Sequence, residues 1–509
     1  MTVRLVATPL EHPVEAPAPR TGGLDAALVE AFVASPTRDE QLARLRRPDA
    51  VAVTTGQQPG LFTGPLYTVH KAVSAAALAR VLEEQWGRPV VPVFWLAGDD
   101  HDFAEASSAA WIAADGSLTS AELPPRPADA PLTPMYRQPL GPAVTGALAA
   151  LAGSLPTSEF RDTTLAWLER YYQPEATVAA AFAGAIAELL APVGVVAFDS
   201  THPAAKRFAA PFLVRALQRS RELEAALAGR SDELGDAARA AGITLGDGAT
   251  LVMLEASQGR DRLVREDGGF ATRRSREAFD LAALQRIAAD DPQRLSPNVL
   301  LRPVVESALL PSVAYLGGPG ELRYLELTPP LYQQLDVPRQ LPLPRWSGII
   351  VEPRVDRVLD KFGISLEELL EPPGPLESRL VRSELPTGAV AAIERLRAAL
   401  EHEYEVVERT AVEVDPTLAR PVQGARQQAL AGTHDVEKKL VQHLKRRRET
   451  ELGQLARART AVAPDGKPQE RVLTIAPFLS RYGPALLGEL ADAFEGWYRA
   501  ALEGAPEPA

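Results

Sequence analysis

Asp99, Asp100, His101, Asp102 and Glu105 put four carboxylates and one imidazole into a short loop straight after the apolar run Val90–Leu96. Carboxylates this close disfavour one another's ionised form and favour a protonated imidazole, so the spacing predicts a raised pKa for His101. A histidine tuned this way is a general base toward an amine or thiol, with Asp100 and Asp102 beside it. The same oxygens could take Mg²⁺ carried by a nucleotide. The plainer reading is a solvated acidic loop in which an Asp caps a helix. Upstream, Gly56, Gly60 and Gly64 alternate with Gln57, Gln58 and Thr63, a donor-rich loop suited to a phosphate or carboxylate. It is neither a Walker loop nor GxGxxG. A tight strand-to-helix connection would also ask for these glycines.

Further along, Asn298 and Arg302 lie one helical turn apart if that segment is helical, and Arg302 could grip a carboxylate bidentately or form a structural salt bridge. Gly317, Gly318 and Gly320 form a second glycine-rich loop that either closes a pocket or makes a turn. His70 falls on or beside an apolar helix face, where it is either a catalytic group near the ligand or a satisfied core residue. Lys71 points about 100° away from it, as a phosphate partner or a surface lysine.

The elements that must position these residues read as a βαβ unit. Val51–Thr55 is a short β-branched strand, and the helix starts near Pro65, where a missing N–H costs nothing. Gly87 followed by Pro89 ends it. Val90–Leu96 is continuous and apolar, as in a strand buried on both faces. Both candidate loops then follow the carboxyl ends of parallel strands, the edge at which open α/β sheets bind ligands. Ser312–Leu316 followed by the second glycine loop repeats the pattern, and Val193–Phe198 is a further buried-type strand ending near His202.

The strings TGQQPGLFTGPLYTVHK and PVVPVFWLAGDDHDFAE, with LSPNVLLRPVVES at 295–307, PSVAYLGGPGE at 311–321 and PQERVLTIAPFLSRYG at 468–483, resemble the bacillithiol-synthesis cysteine-adding enzyme family, BshC. The resemblance spans most of the chain. It implies an α/β fold with a Rossmann-like parallel-sheet core, connecting-peptide insertions and an antiparallel coiled-coil arm that pairs two chains into a homodimer. It also implies a ligase joining L-cysteine to glucosaminyl-malate, whose malate Arg302 would grip. Direct amide condensation in water is uphill, so ATP with Mg²⁺ is the expected driver, with no tightly bound cofactor. Two other readings stay open: a metal-assisted hydrolase or transferase built on Asp99–Asp102, and a non-enzymatic coiled-coil scaffold whose core binds a ligand.

Composition sets the outer limits. The chain has 509 residues, too many for one ordinary core. It has no cysteine, which excludes disulfides, thiolate metal sites and a cysteine nucleophile. No histidine pair has zinc-ligand spacing, and no metal ligands are assigned. A net charge of −12 argues against bulk nucleic-acid binding. The N-terminus lacks the long apolar run of a secretion signal or membrane span, so a cytoplasmic protein is expected. The expected division is a core over 1–374, with insertions at about 106–192 and 229–295, a coiled coil over 375–475, and a C-terminal helix over 476–509 docking on the core. In the coiled coil, Ile393, Leu396, Leu400, Tyr404, Val407, Ala411 and Val414 step by threes and fours, as do Ala429, Thr433, Val436, Leu440 and Leu444. Lys445–Arg448 reads as a solvated helix face pairing with Glu449 and Glu451.

Overall fold

The computed structural model describes residues 2–10, 13–243 and 246–504. The chain forms two compact units, Met1–Ile350 with Lys467–Ala509, and Val351–Gly466. The second unit therefore begins before 375 and ends before 475. The reason is local: Arg459 donates to the Leu369 carbonyl at 2.9 Å and pairs with Glu377, so the short helices after Val351 belong with the long ones.

The first unit is built on five parallel strands, β1 (Val51–Gln57), β2 (Val90–Leu96), β3 (Val196–Asp199), β4 (Ser312–Gly317) and β5 (Leu341–Pro344), in the order β5-β4-β1-β2-β3. The chain runs outward from β1 through β2 to β3, then returns to the other side of β1. β1 and β4 therefore flank the topological switch point. Alternate residues feed two cores, as the strand period requires. Val51, Val53, Phe94 and Leu96 face one, while Ala52, Val91, Val93 and Trp95 face the other.

β1 and β2 are joined by α1 (Leu66–Trp86), which starts after an extended Pro65 and stops at a left-handed Gly87 (φ +62°). It is buried on nearly all sides, against the sheet and α7 (Ala485–Glu503), the C-terminal helix. The other helices the site uses are α2 (Pro203–Gln218), after β3, α3 (Arg302–Leu309), before β4, and α4 (Pro319–Leu325), after it.

The two insertions are more structured than expected. The first holds a hairpin, Ser108–Ile112 with Leu118–Glu122, and the helices Ala143–Ser154, Arg161–Tyr171 and Val178–Leu190. The second is a five-stranded antiparallel sheet with Gly259–Glu266 at its centre. Gly259 (φ +78°) packs so tightly that a Cβ there would lie 2.5 Å from the Leu132 carbonyl. Among the described residues no helix is long and apolar enough to cross a membrane.

In the second unit, α5 (Thr387–Val414) and α6 (Ala419–Arg447) turn back on one another through Asp415–Leu418. α6 stops at Arg448, so the expected pairing along one helix gives way to another: Arg448 pairs with Glu451 and Glu384, and Lys445 donates to Ser378 Oγ at 3.1 Å.

The loop before α1 holds Phe62 (φ +49°), Thr63 (φ +70°) and Gly64 (φ +72°) all in the left-handed region. For the two non-glycine residues this costs roughly 1–2 kcal/mol each. The buried Tyr172 hydroxyl brackets the bend, donating to Gly60 O at 3.0 Å and accepting from Thr63 N at 2.7 Å. Tyr172→Phe leaves a buried N–H unpaired and is expected to lower stability by about 1–3 kcal/mol in urea unfolding. No change in the midpoint would show that the bracket carries nothing.

Candidate active site

A cleft of about 460 Å³ opens at the carboxyl ends of β1, β2 and β4. Its wall includes Gly56, Gln57 and Gln58 after β1, Asp99 and Asp100 after β2, and Gly318 and Gly320 after β4. At its centre is Lys71, from the second turn of α1. Its ammonium is buried and sits 2.5 Å from Glu321 Oε2, 2.9 Å from Gly56 O and 2.8 Å from Gln57 Oε1. Burial pushes the lysine pKa down, opposed by Glu321. Burial works to raise the Glu321 carboxyl, but Lys71 holds it below the ordinary range.

The network continues around the wall. Tyr315 donates to Glu321 Oε1 at 2.7 Å, and Arg302 donates to the Tyr315 hydroxyl at 3.1 Å and to Glu306 at 2.8 Å. Arg302 is thus both a cleft residue and half of an ion pair. Asn298 also reaches the cleft, while its Oδ1 accepts the N–H groups of Leu300 and Leu301. Gly317 stays off the wall, packed where a Cβ would come 3.2 Å from that of Glu321.

Three expectations are corrected. Gly60, Thr63 and Gly64 do not line the cleft. Donors around the start of α1 are spent inside the protein: Thr63 N on Tyr172, Gly64 N on Leu61 O, and Leu66 N on Leu473 O at 2.7 Å. His70 lies in the core, with its ring 5.0 Å from that of Trp346 and 5.9 Å from that of Phe494. Its Nδ1 donates to Glu470 at 3.1 Å, and burial lowers its pKa. His101 is also off the cleft wall. Its pKa is lowered, not raised, because burial and the Arg260 guanidinium, 3.3 Å away, outweigh Asp100 and Asp102.

The acidic loop disperses rather than converges. Asp99 pairs with Lys206 from α2 at 2.5 Å. Asp100 Oδ1 accepts from His101 N and Asp102 N, and Asp102 caps the short helix Phe103–Ala106 through Glu105 N. Among the described residues no three His, Asp or Glu side chains are grouped to hold a metal ion. His202 likewise caps α2, accepting from Ala204 N at 3.2 Å.

Several cleft residues carry no local sequence signal. Arg260 reaches in from the antiparallel insertion, anchored by Ser296 Oγ, Pro297 O and His101 with no carboxylate partner among the described residues. Arg471 arrives from the C-terminal return. Arg345 is buried under the wall and gripped bidentately by Glu470 at 2.6 and 2.7 Å. Their partners lie too far away in sequence for spacing to reveal.

Two family models for bacillithiol biosynthesis BshC together match most of this chain: the N-terminal Rossmann-like domain over residues 26–346 and the C-terminal coiled-coil domain over residues 348–497. The chain belongs to the BshC family. Among its relatives, a Symbiobacterium thermophilum protein is 32% identical over 91% of this chain and 86% of its own length. A Salinibacter ruber protein is 31% identical over 88% and 82%, and a Chlorobaculum tepidum protein 30% identical over 92% and 85%. Each of these is named as a proposed cysteine ligase, BshC.

Within this BshC chain the His70–Glu470–Arg345 cluster supports the cleft from below. Burial works to raise the Glu470 carboxyl, but His70 and Arg345 hold it at about 2. Glu470→Gln strands a buried guanidinium and is expected to cost about 3–5 kcal/mol. Because the folded pKa lies below the unfolded value of about 4.3, the stabilisation is complete above that value and is lost as pH falls toward 2. Urea unfolding between neutral pH and about pH 3 should therefore show a steeper loss in the wild type than in Glu470→Gln; parallel curves would contradict the assignment.

Proposed function

We propose that the cleft joins L-cysteine to glucosaminyl-malate, forming an amide between the cysteine carboxyl and the sugar amine. The observation that carries this reading is the charge pattern of the wall. Arg260 and Arg471 reach the cleft with no carboxylate partner among the described residues, beside acids that could meet an ammonium. The substrates have matching groups, two malate carboxylates, one cysteine carboxylate and two amines. Arg260, held by three neutral acceptors, is a preformed fork for a carboxylate.

Amide formation from a free carboxylate needs activation, and ATP with Mg²⁺ is the driver consistent with a ligase. Its phosphates would meet side-chain cations rather than a glycine cradle, since the Thr63, Gly64 and Leu66 amides are already bonded. The residues then bind and orient the two substrates and accept the proton released when nitrogen acylates.

The reading also includes a cytoplasmic homodimer paired through the second unit. Leu396, Val407, Val414, Val436 and Leu440 remain exposed on α5 and α6, although they belong to the heptad-like seam. An apolar stripe of this kind supports burial by a second copy.

Purified protein incubated with L-cysteine and glucosaminyl-malate should form the thiol amide, read by mass, only when ATP-Mg²⁺ is present. Product without nucleotide would remove the activation step from the proposal, and no product would remove the ligase reading. Arg260→Ala should raise KM for glucosaminyl-malate about 10- to 100-fold, the value of a charge-assisted hydrogen bond. In sedimentation the wild type should run as a dimer, and Val407→Glu with Val436→Glu as a monomer. A monomeric wild type would contradict the pairing.

A further inference from the structure

Four carboxylates reach the cleft, and three of them are already engaged. Asp99 is ion-paired to Lys206. Asp100 is turned onto the backbone of its own loop. Glu321 accepts from Lys71, Tyr315 and Gly318. Among the described residues the Glu105 side chain has neither a cation partner, as Asp99 and Glu321 have, nor a backbone donor, as Asp100 has. Its hydrogen-bond partner is neutral, the Tyr67 hydroxyl at 3.3 Å, and it forms no ion pair among the described residues. It stands on the short helix capped by Asp102, while Tyr67 stands on the first turn of α1, so neither is carried by a free loop.

A carboxylate on a cleft wall, with no cation committed to it and one oxygen fixed by a hydroxyl, has the arrangement of a proton acceptor. We propose that Glu105 is the general base of the amide-forming step, oriented by Tyr67. The proposal rests on the ligase reading above. In that step the neutral sugar amine attacks the activated carboxyl carbon of cysteine. The C–N bond forms, and the bond from that carbon to its phosphate-bearing oxygen breaks, its electron pair leaving with the phosphate or nucleotidyl group. One N–H proton passes to the Glu105 carboxylate, which returns it to water.

The hydrogen-bond order around Tyr67 suits this role. Gln57 Nε2 approaches the hydroxyl oxygen at 3.5 Å, and Gln57 Oε1 is occupied by Lys71 at 2.8 Å. The oxygen of Tyr67 therefore faces Gln57 and its hydrogen faces Glu105. Burial, with Glu105 nearby, keeps Tyr67 protonated far above the ordinary phenol range. The groups facing Glu105 are Tyr67 from α1, Gln58 from the loop after β1, and Asp100 and Asp102 from its own loop. Burial raises the Glu105 carboxyl above the ordinary range and Asp102 adds to this, while the Tyr67 bond pulls it back. A base must be ionised, so activity falls as pH drops through that raised pKa.

The test is the pH dependence of kcat/KM for wild type, Glu105→Gln and Tyr67→Phe with L-cysteine, glucosaminyl-malate and ATP-Mg²⁺. Glu105→Gln should lower kcat by about 10²- to 10⁴-fold and lose the acidic limb of the profile. Its KM values should stay within about threefold of wild type. Tyr67→Phe should move that limb to higher pH, because the bond favouring the carboxylate is gone. A merely structural role would lower the rate without moving the limb. Near-wild-type kcat in Glu105→Gln, or an unmoved limb in Tyr67→Phe, overturns Glu105 as the base and leaves the ligase reading standing. A wild type that forms no amide at any pH overturns the ligase reading and this proposal together.

Discussion

A lysine ammonium shut away from water must find a counter-charge inside the protein, and the pairing of Lys71 with Glu321 is the constraint on which the cleft depends. The effective penalty for burying each ion is several kcal/mol, and geometry must return it. Here it does so by joining three elements at once: the end of β1 through Gly56 O and Gln57, α1 through the lysine, and α4 through the glutamate. Since β1 and β4 flank the switch point, the ion pair spans the crevice between them. Both partners hand the network on, Gln57 toward Tyr67 and Glu105, and Glu321 toward Tyr315, Arg302 and Glu306. One connected set of polar groups thus lines the cleft, and such sets are rigid when every member is satisfied.

The βαβ unit was legible because its signals are local. β-branched runs mark β1 and β2, Pro65 and Gly87 punctuate α1, and the chain between them is long enough for one crossover helix. Orientation around α1 was not legible. A helix buried on nearly all sides has no polar face to point outward, so the 100° between His70 and Lys71 shows that they diverge without showing which one meets the cleft. Lys71 does, and His70 goes to the aromatic core. The seam of α5 and α6 could be read from its period, but a period names the apolar face and not what covers it.

The acidic loop shows the opposite failure. Read alone, Asp99, Asp100 and Asp102 form a like-charge cluster around His101, and the expected shift follows from Coulomb's law. In the fold each carboxylate finds its own donor, and Arg260 comes beside the imidazole from a hairpin far along the chain. The local charges were read correctly; burial and a charge that was not local outweighed them. Glu105, on the short helix that follows, keeps the like-charge environment of Asp102 and Asp100 and forms no ion pair among the described residues.

The glycine-rich loop contributes by rigidity rather than by binding. Gly56 lets β1 lie where a Cβ would come 3.0 Å from Trp95 O, and Gly64 takes up a left-handed turn. A bend held through left-handed Phe62 and Thr63 persists only if its surroundings over-determine it. Tyr172 supplies one clamp, and the C-terminal return supplies two more: Thr474 Oγ1 donates to Phe62 O at 2.7 Å, and Leu473 O caps Leu66 N. The bend sets the direction in which α1 departs, and α1 carries Tyr67 on its first turn and Lys71 on its second. The same return segment brings Glu470 to Arg345 and Arg471 to the wall. The cleft is therefore incomplete until residues beyond the second unit have folded back onto the first. Without that return the bend loses two of its three clamps, and with them the angle at which Tyr67 and Lys71 are presented.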